Sequence, residues 1–198
     1  MKEQYDIEAA ESKYDANEDH ARTLAGWLWS MKVQVPTSPD NDTPARIVDM
    51  YNEFFLDPDK EPFSFTMFPN DEGMEDLVIV KDITFYSMCE HHLIPFFGTV
   101  HVGYLPHERI VGLSKIPRVV DWYARRPQLQ ERMTAQIADY LRKELRPKGV
   151  IVVVDAIHLC VCMRGVKNIT TNTTTSALRG VFLVNPSARN EFFRLIRR

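Results

Sequence analysis

The apolar positions of this chain change period several times, and each change marks a new element. Leu24, Trp27, Leu28 and Met31 recur at helical spacing and predict an amphipathic helix. Residues 1–18, before it, are polar and acidic with no sustained period, and are expected to form an irregular arm. Pro36, Pro39 and the run Asp40-Asn41-Asp42 mark a loop. A second helix follows: Asp42 or Thr43 can cap it, Pro44 suits its first turn, and Ile47, Met50, Tyr51 and Phe54 form its apolar stripe.

Residues 56–73 are rich in Pro, Asp and Phe and read as a long connection, after which the period becomes two. Leu77, Ile79, Ile83 and Phe85 alternate with Asp82, Thr84 and Tyr86 in a strand running into Cys89. Residues 99–105 form its expected hairpin partner. Helical periodicity returns over 114–125 and 128–145, the latter with Leu129, Met133, Ile137, Tyr140 and Leu141 on one face and Pro147 and Gly149 as its stop. Residues 150–163 read as a β-branched strand apolar on both faces, 176–184 as its partner, and 188–196 as a short closing helix. This order predicts an α+β fold: an antiparallel four-stranded sheet with helices on one side and an N-terminal helical extension. The expected division is an arm with helices over 1–56 and a sheet-bearing domain over 57–198.

A formal net charge of -3 gives no overall basic field, so nucleic acid is not an expected partner and an anionic ligand would need a local basic cluster. The apolar run 150–154 is far short of the roughly 20 residues of a membrane helix, and the acidic start lacks a signal-peptide pattern. No membrane association is expected, and a cytoplasmic location is. The cysteines, Cys89, Cys160 and Cys162, are odd in number and lack the dense spacing of a secreted disulfide scaffold, which favours metal binding or catalysis.

Cys89-Glu90-His91-His92 packs a thiol, a carboxylate and two imidazoles directly after a strand. A Cys-x-x-His spacing lets one turn present two ligands to zinc, a borderline-soft ion that favours thiolate and imidazole. Side chains alternate along the strand that carries residues 158–164, so His158, Cys160, Cys162 and Arg164 share one face, offering a thiolate, a proton-transfer imidazole and a phosphate-binding guanidinium. Spacing alone leaves two arrangements open. One is a catalytic site with three protein ligands; the other is a closed structural site that also uses Cys162. His20, His101 and His107 read as surface or internally satisfied side chains. Gly112-Leu113-Ser114-Lys115-Ile116-Pro117-Arg118 leads into a helix whose first turn carries a hydroxyl and two cations, suited either to phosphate or to a solvated basic end. Gln130 and Glu131, by themselves, read as ordinary chemistry of a helix start.

The string 85–96, Phe-Tyr-Ser-Met-Cys-Glu-His-His-Leu-Ile-Pro-Phe, closely resembles the signature of the GTP cyclohydrolase I family. Gly112-Leu113-Ser114-Lys115, Gln128-Leu129-Gln130-Glu131-Arg132, His158-Leu159-Cys160 and Met163-Arg164-Gly165-Val166 resemble further family motifs in family order, leaving only about the first forty residues unmatched. The resemblance implies zinc held by Cys89, His92 and Cys160, with His91 and His158 as proton-transfer groups. It implies that Glu131, helped by Gln130, holds the guanine edge; that Leu113, Ser114, Lys115, Arg118 and Arg164 bind the triphosphate; and that Arg46 reaches it from a neighbouring subunit. Cys162 and Pro117 depart from the family pattern. The implied reaction is zinc-hydroxide hydrolysis at guanine C8 of GTP, releasing formate and forming 7,8-dihydroneopterin triphosphate. The implied architecture is the tunnelling fold, in which sheets of several subunits close a barrel, commonly as a homodecamer with sites between subunits. Three rivals stand against this, of which a base deaminase is the poorest because the His-x-Glu and Pro-Cys-x-x-Cys pattern is missing. A tunnelling-fold nitrile reductase with a cysteine nucleophile does not need three metal ligands, and a structural zinc protein acting as a binding module would leave GTP unchanged.

Overall fold

The computed structural model describes residues 7–38, 41–56 and 64–197, which fall into two compact units, Met1–Asp57 and Pro58–Arg198. In the first, α1 (Ile7–Ser30) is followed by two-residue strands β1 (Thr37–Ser38) and β2 (Asn41–Asp42), and then by α2 (Thr43–Phe54). The expected irregular arm is therefore helical from Ile7 onward, and residues 1–6 lie outside the described residues. A polar helix of this kind carries no apolar stripe to announce it. The start of α2 follows the sequence closely: Asp42 caps it by accepting the Ala45 N–H at 3.1 Å, and Pro44 occupies the first turn.

The second unit runs β3 (Met67–Pro69), β4 (Val78–Cys89), β5 (Pro95–Leu105), β6 (Arg109–Val111), α3 (Lys115–Ala124), β7 (Pro127–Gln128) and α4 (Gln130–Leu145). It continues as β8 (Gly149–His158), α5 (Leu159–Cys162), β9 (Thr173–Gly180), α6 (Val181–Val184) and α7 (Pro186–Ile196). The expected connection over 56–73 contains β3, which pairs antiparallel with β6; residues 57–63 of it lie outside the described residues.

The main sheet has five strands in the order β7-β4-β5-β8-β9, and β7 runs parallel to the end of β4. The expected antiparallel four-stranded sheet is thus its β4-β5-β8-β9 portion, extended by a parallel edge strand of two residues, too short to leave a period in the sequence.

Strand β8 explains why helices are not confined to one side. Val150, Val152 and Val154 point into a core with Ile116, Val119 and Val120 of α3 and Met133, Ile137 and Leu141 of α4. Ile151 and Val153 point the other way, against Phe182 of α6 and Phe192 of α7. The two-sided apolar pattern of β8 is the sequence trace of both layers. Gly103 lets α7 come close, since a Cβ there would lie 2.6 Å from the Phe192 ring.

A bulge separates the β4–β5 pairing at Val80 and Ile83, with Asp82 at φ 58°. Buried His101 holds it, its Nδ1 accepting the Asp82 N–H at 3.1 Å. This matches the internally satisfied role expected for His101, whereas His20 and His107 are exposed. Bulges of this kind bend a strand and increase its twist.

Candidate metal centre

The β4–β5 hairpin ends in a tight connection that presents Cys89 and His92 together. Cys89 N–H donates to Ile94 O at 3.0 Å, while the N–H groups of His92 and Leu93 both donate to Cys89 O. Cys89 Sγ consequently lies 3.7 Å from His92 Nδ1. Cys89 is buried at the strand end, and His91 and His92 are exposed on the turn.

The third member arrives by a route the alternation argument misses. Strand β8 stops at His158, and residues 159–162 form one helical turn, closed by Met163 N–H on Leu159 O at 2.9 Å. His158, Cys160, Cys162 and Arg164 therefore do not share a strand face. Two residues along a helix are separated by about 200°, so Cys160 and Cys162 diverge. The ligand atoms of Cys89, His92 and Cys160 all lie within 4.8 Å of one another, and Cys162 is not part of the group. The turn follows the β-branched run 150–154 with no Gly or Pro between them, which is why the sequence reads as a continuing strand.

These donors fit zinc. Bonds of about 2.0 to 2.3 Å in a tetrahedral shell put neighbouring ligand atoms roughly 3.5 to 3.8 Å apart, comparable with the observed cluster. The chemistry agrees: burial, and then the adjacent Cys89 thiol, push the Cys160 thiol above its ordinary range, with Arg164 acting weakly in the other direction. Two thiols so placed become good thiolate ligands when a divalent cation supplies the compensating charge.

Strand β7 brings the start of α4 to this turn. Met88 and Cys89 pair with Pro127 and Gln128, and Glu90 N–H donates to Gln128 O at 3.1 Å. The Glu90 carboxylate is ion-paired with Arg132, whose Nε donates to Gln128 Oε1 at 3.2 Å. The Gln128 amide in turn donates to Tyr123 O and Gln136 Oε1. Glu90 and Arg132 stand in quoted motifs, yet their pairing spans 42 positions and has no local signal.

His158 sits at the mouth of the same region. Its ring stacks on buried Phe96, with centroids 4.5 Å apart and planes 3° from parallel, as the Phe96–His158 strand register permits. Its Nε2 lies 2.7 Å from Gln130 Oε1. Burial lowers its basicity, and the nearby Glu131 carboxylate partly opposes that shift. Glu131 is exposed in the first turn of α4, while the Gln130 side chain, expected at the guanine edge, turns into the protein. Phe96, Thr134, Thr173 and Thr175, which surround His158 and Gln130, were not identifiable as site residues because their contacts cross between elements.

Leu113 and Ser114 precede α3, and Lys115 and Arg118 lie in its first turn with no acidic residue beside them. Pro117 also lies in that turn, where the missing N–H is tolerated. No hydrogen bond or ion pair among the described residues links this cluster to the Cys–His–Cys group. Arg164 is exposed after α5, and Arg46 lies on α2 of the N-terminal unit. The structure therefore brings together Cys89, His92 and Cys160, and, two residues along the chain from Cys160, sets His158 beside Gln130 and Glu131.

A sequence profile described as GTP cyclohydrolase I matches residues 28–197. A protein named GTP cyclohydrolase 1 from Sulfurihydrogenibium sp. is 51% identical over 155 residues, 78% of this chain and 81% of that protein. Its namesake from Aquifex aeolicus is 51% identical over 156 residues, covering 79% and 83% respectively. That from Brevibacillus brevis is 53% identical over 159 residues, covering 79% and 84%. Among solved structures, the apo form of archaeosine synthase QueF-Like overlaps 52% of this chain and 93% of its own, with a TM-score of 0.43 and 22% identity.

Proposed function

The chain belongs to the GTP cyclohydrolase I family, and we infer from that membership that it converts GTP and water to formate and 7,8-dihydroneopterin triphosphate at a zinc centre. The observation that carries the zinc reading is the group of Cys89, His92 and Cys160, which has three members among the described residues. Three protein ligands leave a tetrahedral ion one open position, the arrangement of catalytic rather than structural zinc. Zinc bound there supplies Lewis-acid polarisation and a lowered pKa for coordinated water.

The protein's own residues divide the remaining work. The His158 imidazole, buried on one face by Phe96, exchanges a proton with the guanine imidazole nitrogen as the ring opens. His91, exposed beside His92, serves the later proton transfers. The Glu131 carboxylate accepts from guanine N–H donors, a bidentate match that orients C8 toward the metal. Ser114, Lys115 and Arg118, with the Leu113 backbone, form a triphosphate site with Arg164, where the α3 start adds its own partial positive charge. Arg46 completes that site from another copy of the chain.

The catalytic unit is residues 57–198, arranged as a tunnelling fold whose sheets continue between subunits, commonly in a decamer. No helix among the described residues is long and apolar enough to cross a membrane; the cytoplasmic location is proposed from the sequence.

The test is to incubate zinc-loaded protein with GTP and measure formate, then neopterin fluorescence after oxidation and dephosphorylation. Product is expected with the native chain and with Cys162→Ala, and lost with Cys160→Ala or on chelation. A native protein that holds zinc yet releases no formate would overturn the activity. Zinc binding lost with Cys162→Ala but kept with Cys160→Ala would overturn the ligand set.

A further inference from the structure

The Gln130 side chain is only 2% exposed, and each of its polar atoms is engaged within the protein. Its Nε2 lies 2.9 Å from Thr173 O, 3.0 Å from Val154 O and 3.1 Å from Thr175 Oγ1. Two of these partners are backbone carbonyls, which only accept, so the amide end facing them must be the NH2 group and the two ends cannot be exchanged. The hydroxyl protons around it are fixed as well. Thr134 Oγ1 donates to Gln130 O at 2.7 Å, so in the 2.7 Å contact between hydroxyls it is Thr175 that donates to Thr134. Thr175 is thereby left as an acceptor for Gln130.

This chain of forced choices ends at His158. The Gln130 oxygen has no proton to give, and it sits 2.7 Å from His158 Nε2. That nitrogen must carry the hydrogen. Turning the ring over would set a carbon opposite the amide oxygen and forfeit the bond, while the stack on Phe96 keeps the ring in one plane.

We propose that Gln130 is a positioning residue that locks His158 as the Nε2–H tautomer, leaving Nδ1 as the nitrogen that exchanges protons with substrate, and that its side chain makes no contact with the guanine. The functional part rests on the reading of His158 as a proton-transfer group; the tautomer itself does not. Position rather than charge is the contribution. The network anchors Gln130 to β8 and β9 at once, so the imidazole edge is referenced to the sheet and not to the turn that carries His91 and His92.

Two measurements test it. In native, zinc-loaded protein labelled with 15N-histidine, with His158 assigned by comparison with His158→Asn, Nε2 should show the shift of a protonated ring nitrogen and Nδ1 that of an unprotonated one; the reverse pattern overturns the proposal. In Gln130→Met, kcat for GTP should fall about 10- to 100-fold, part of the 10²- to 10⁴-fold worth of a positioned acid–base group, with KM for GTP within about threefold. A raised KM with kcat intact would show a guanine contact and overturn the proposal, as would a variant with both constants unchanged. If Gln130→Met fails to fold or loses zinc, the native tautomer decides alone. An inactive native protein with an Nε2–H ring would remove the proposed activity and leave the lock standing, whereas an active protein with an Nδ1–H ring would do the opposite.

Discussion

Gly98 lies in the β5–β8 ladder opposite Ala156, two residues from the paired Phe96 and His158. A Cβ added to it would lie 1.9 Å from Asp155 O, 2.8 Å from Ala156 Cα and 2.9 Å from Asp155 C. All three are backbone atoms, so no side chain can swing aside, and Gly98→Ala must push the strands apart by more than about 1 Å to restore ordinary contact. Neighbouring N–H···O bonds would be stretched beyond the roughly 3.2 Å limit of good geometry. Losing two at about 1 kcal/mol each, with the cost of their buried, unpaired groups, gives a destabilisation of about 3 to 5 kcal/mol. At roughly 2 to 4 °C per kcal/mol for a chain of this size, the apparent Tm should fall by about 6 to 20 °C. The same separation carries Phe96 away from His158, so kcat should fall before the protein melts. Thermal unfolding at fixed protein and zinc concentration, with GTP turnover at 25 °C, checks both effects. A variant that melts within about 2 °C of native, with unchanged turnover, would refute the steric argument.

The Glu90–Arg132 pair steers the turn that carries Cys89 and His92. Glu90→Gln should weaken zinc binding about 10- to 100-fold, the usual cost of disturbing a partner behind a ligand, as read by competition with a chromophoric chelator; unchanged affinity would make the pair incidental. Arg179 hydrogen-bonds the Asp139 carboxylate and holds it below its ordinary value of 3.8, joining α4 to β9. A depressed carboxylate pKa stabilises the fold above the unfolded value and loses that contribution as pH falls through the folded one. The stability gap between native protein and Asp139→Asn should therefore be constant near neutrality and close below about pH 4. It should amount to only about 0.5 kcal/mol, because the Asp139 carboxylate is largely solvent-exposed. Paired denaturant titrations at several pH values measure it, and zinc loss common to both proteins cancels in the difference.

Local features were the ones legible before any coordinates. The Asp42 cap and Pro44 of α2, the β4–β5 hairpin and the Cys-x-x-His turn all depend on residues a few positions apart. Strand β7 and turn α5 are not legible, since pairing with a distant strand end fixes the first and the second follows a β-branched run with no Gly or Pro to mark the change. Alternation along a strand does not separate Cys160 from Cys162, and only the family resemblance points to Cys160; a helical turn brings Cys160 to Cys89 and leaves Cys162 out of the group. Gln130 shows the same limit. Its partners lie 24, 28, 43 and 45 positions away, a range over which no spacing rule operates.

From Val150 to Val154 every side chain of β8 is enclosed, one set beneath α3 and α4 and the other beneath α6 and α7. Such a strand has no outward position on which a new polar group could be tried without damage to one layer or the other. Divergence in what this scaffold recognises is thereby channelled to the strand's extremities, and at one of them stands His158.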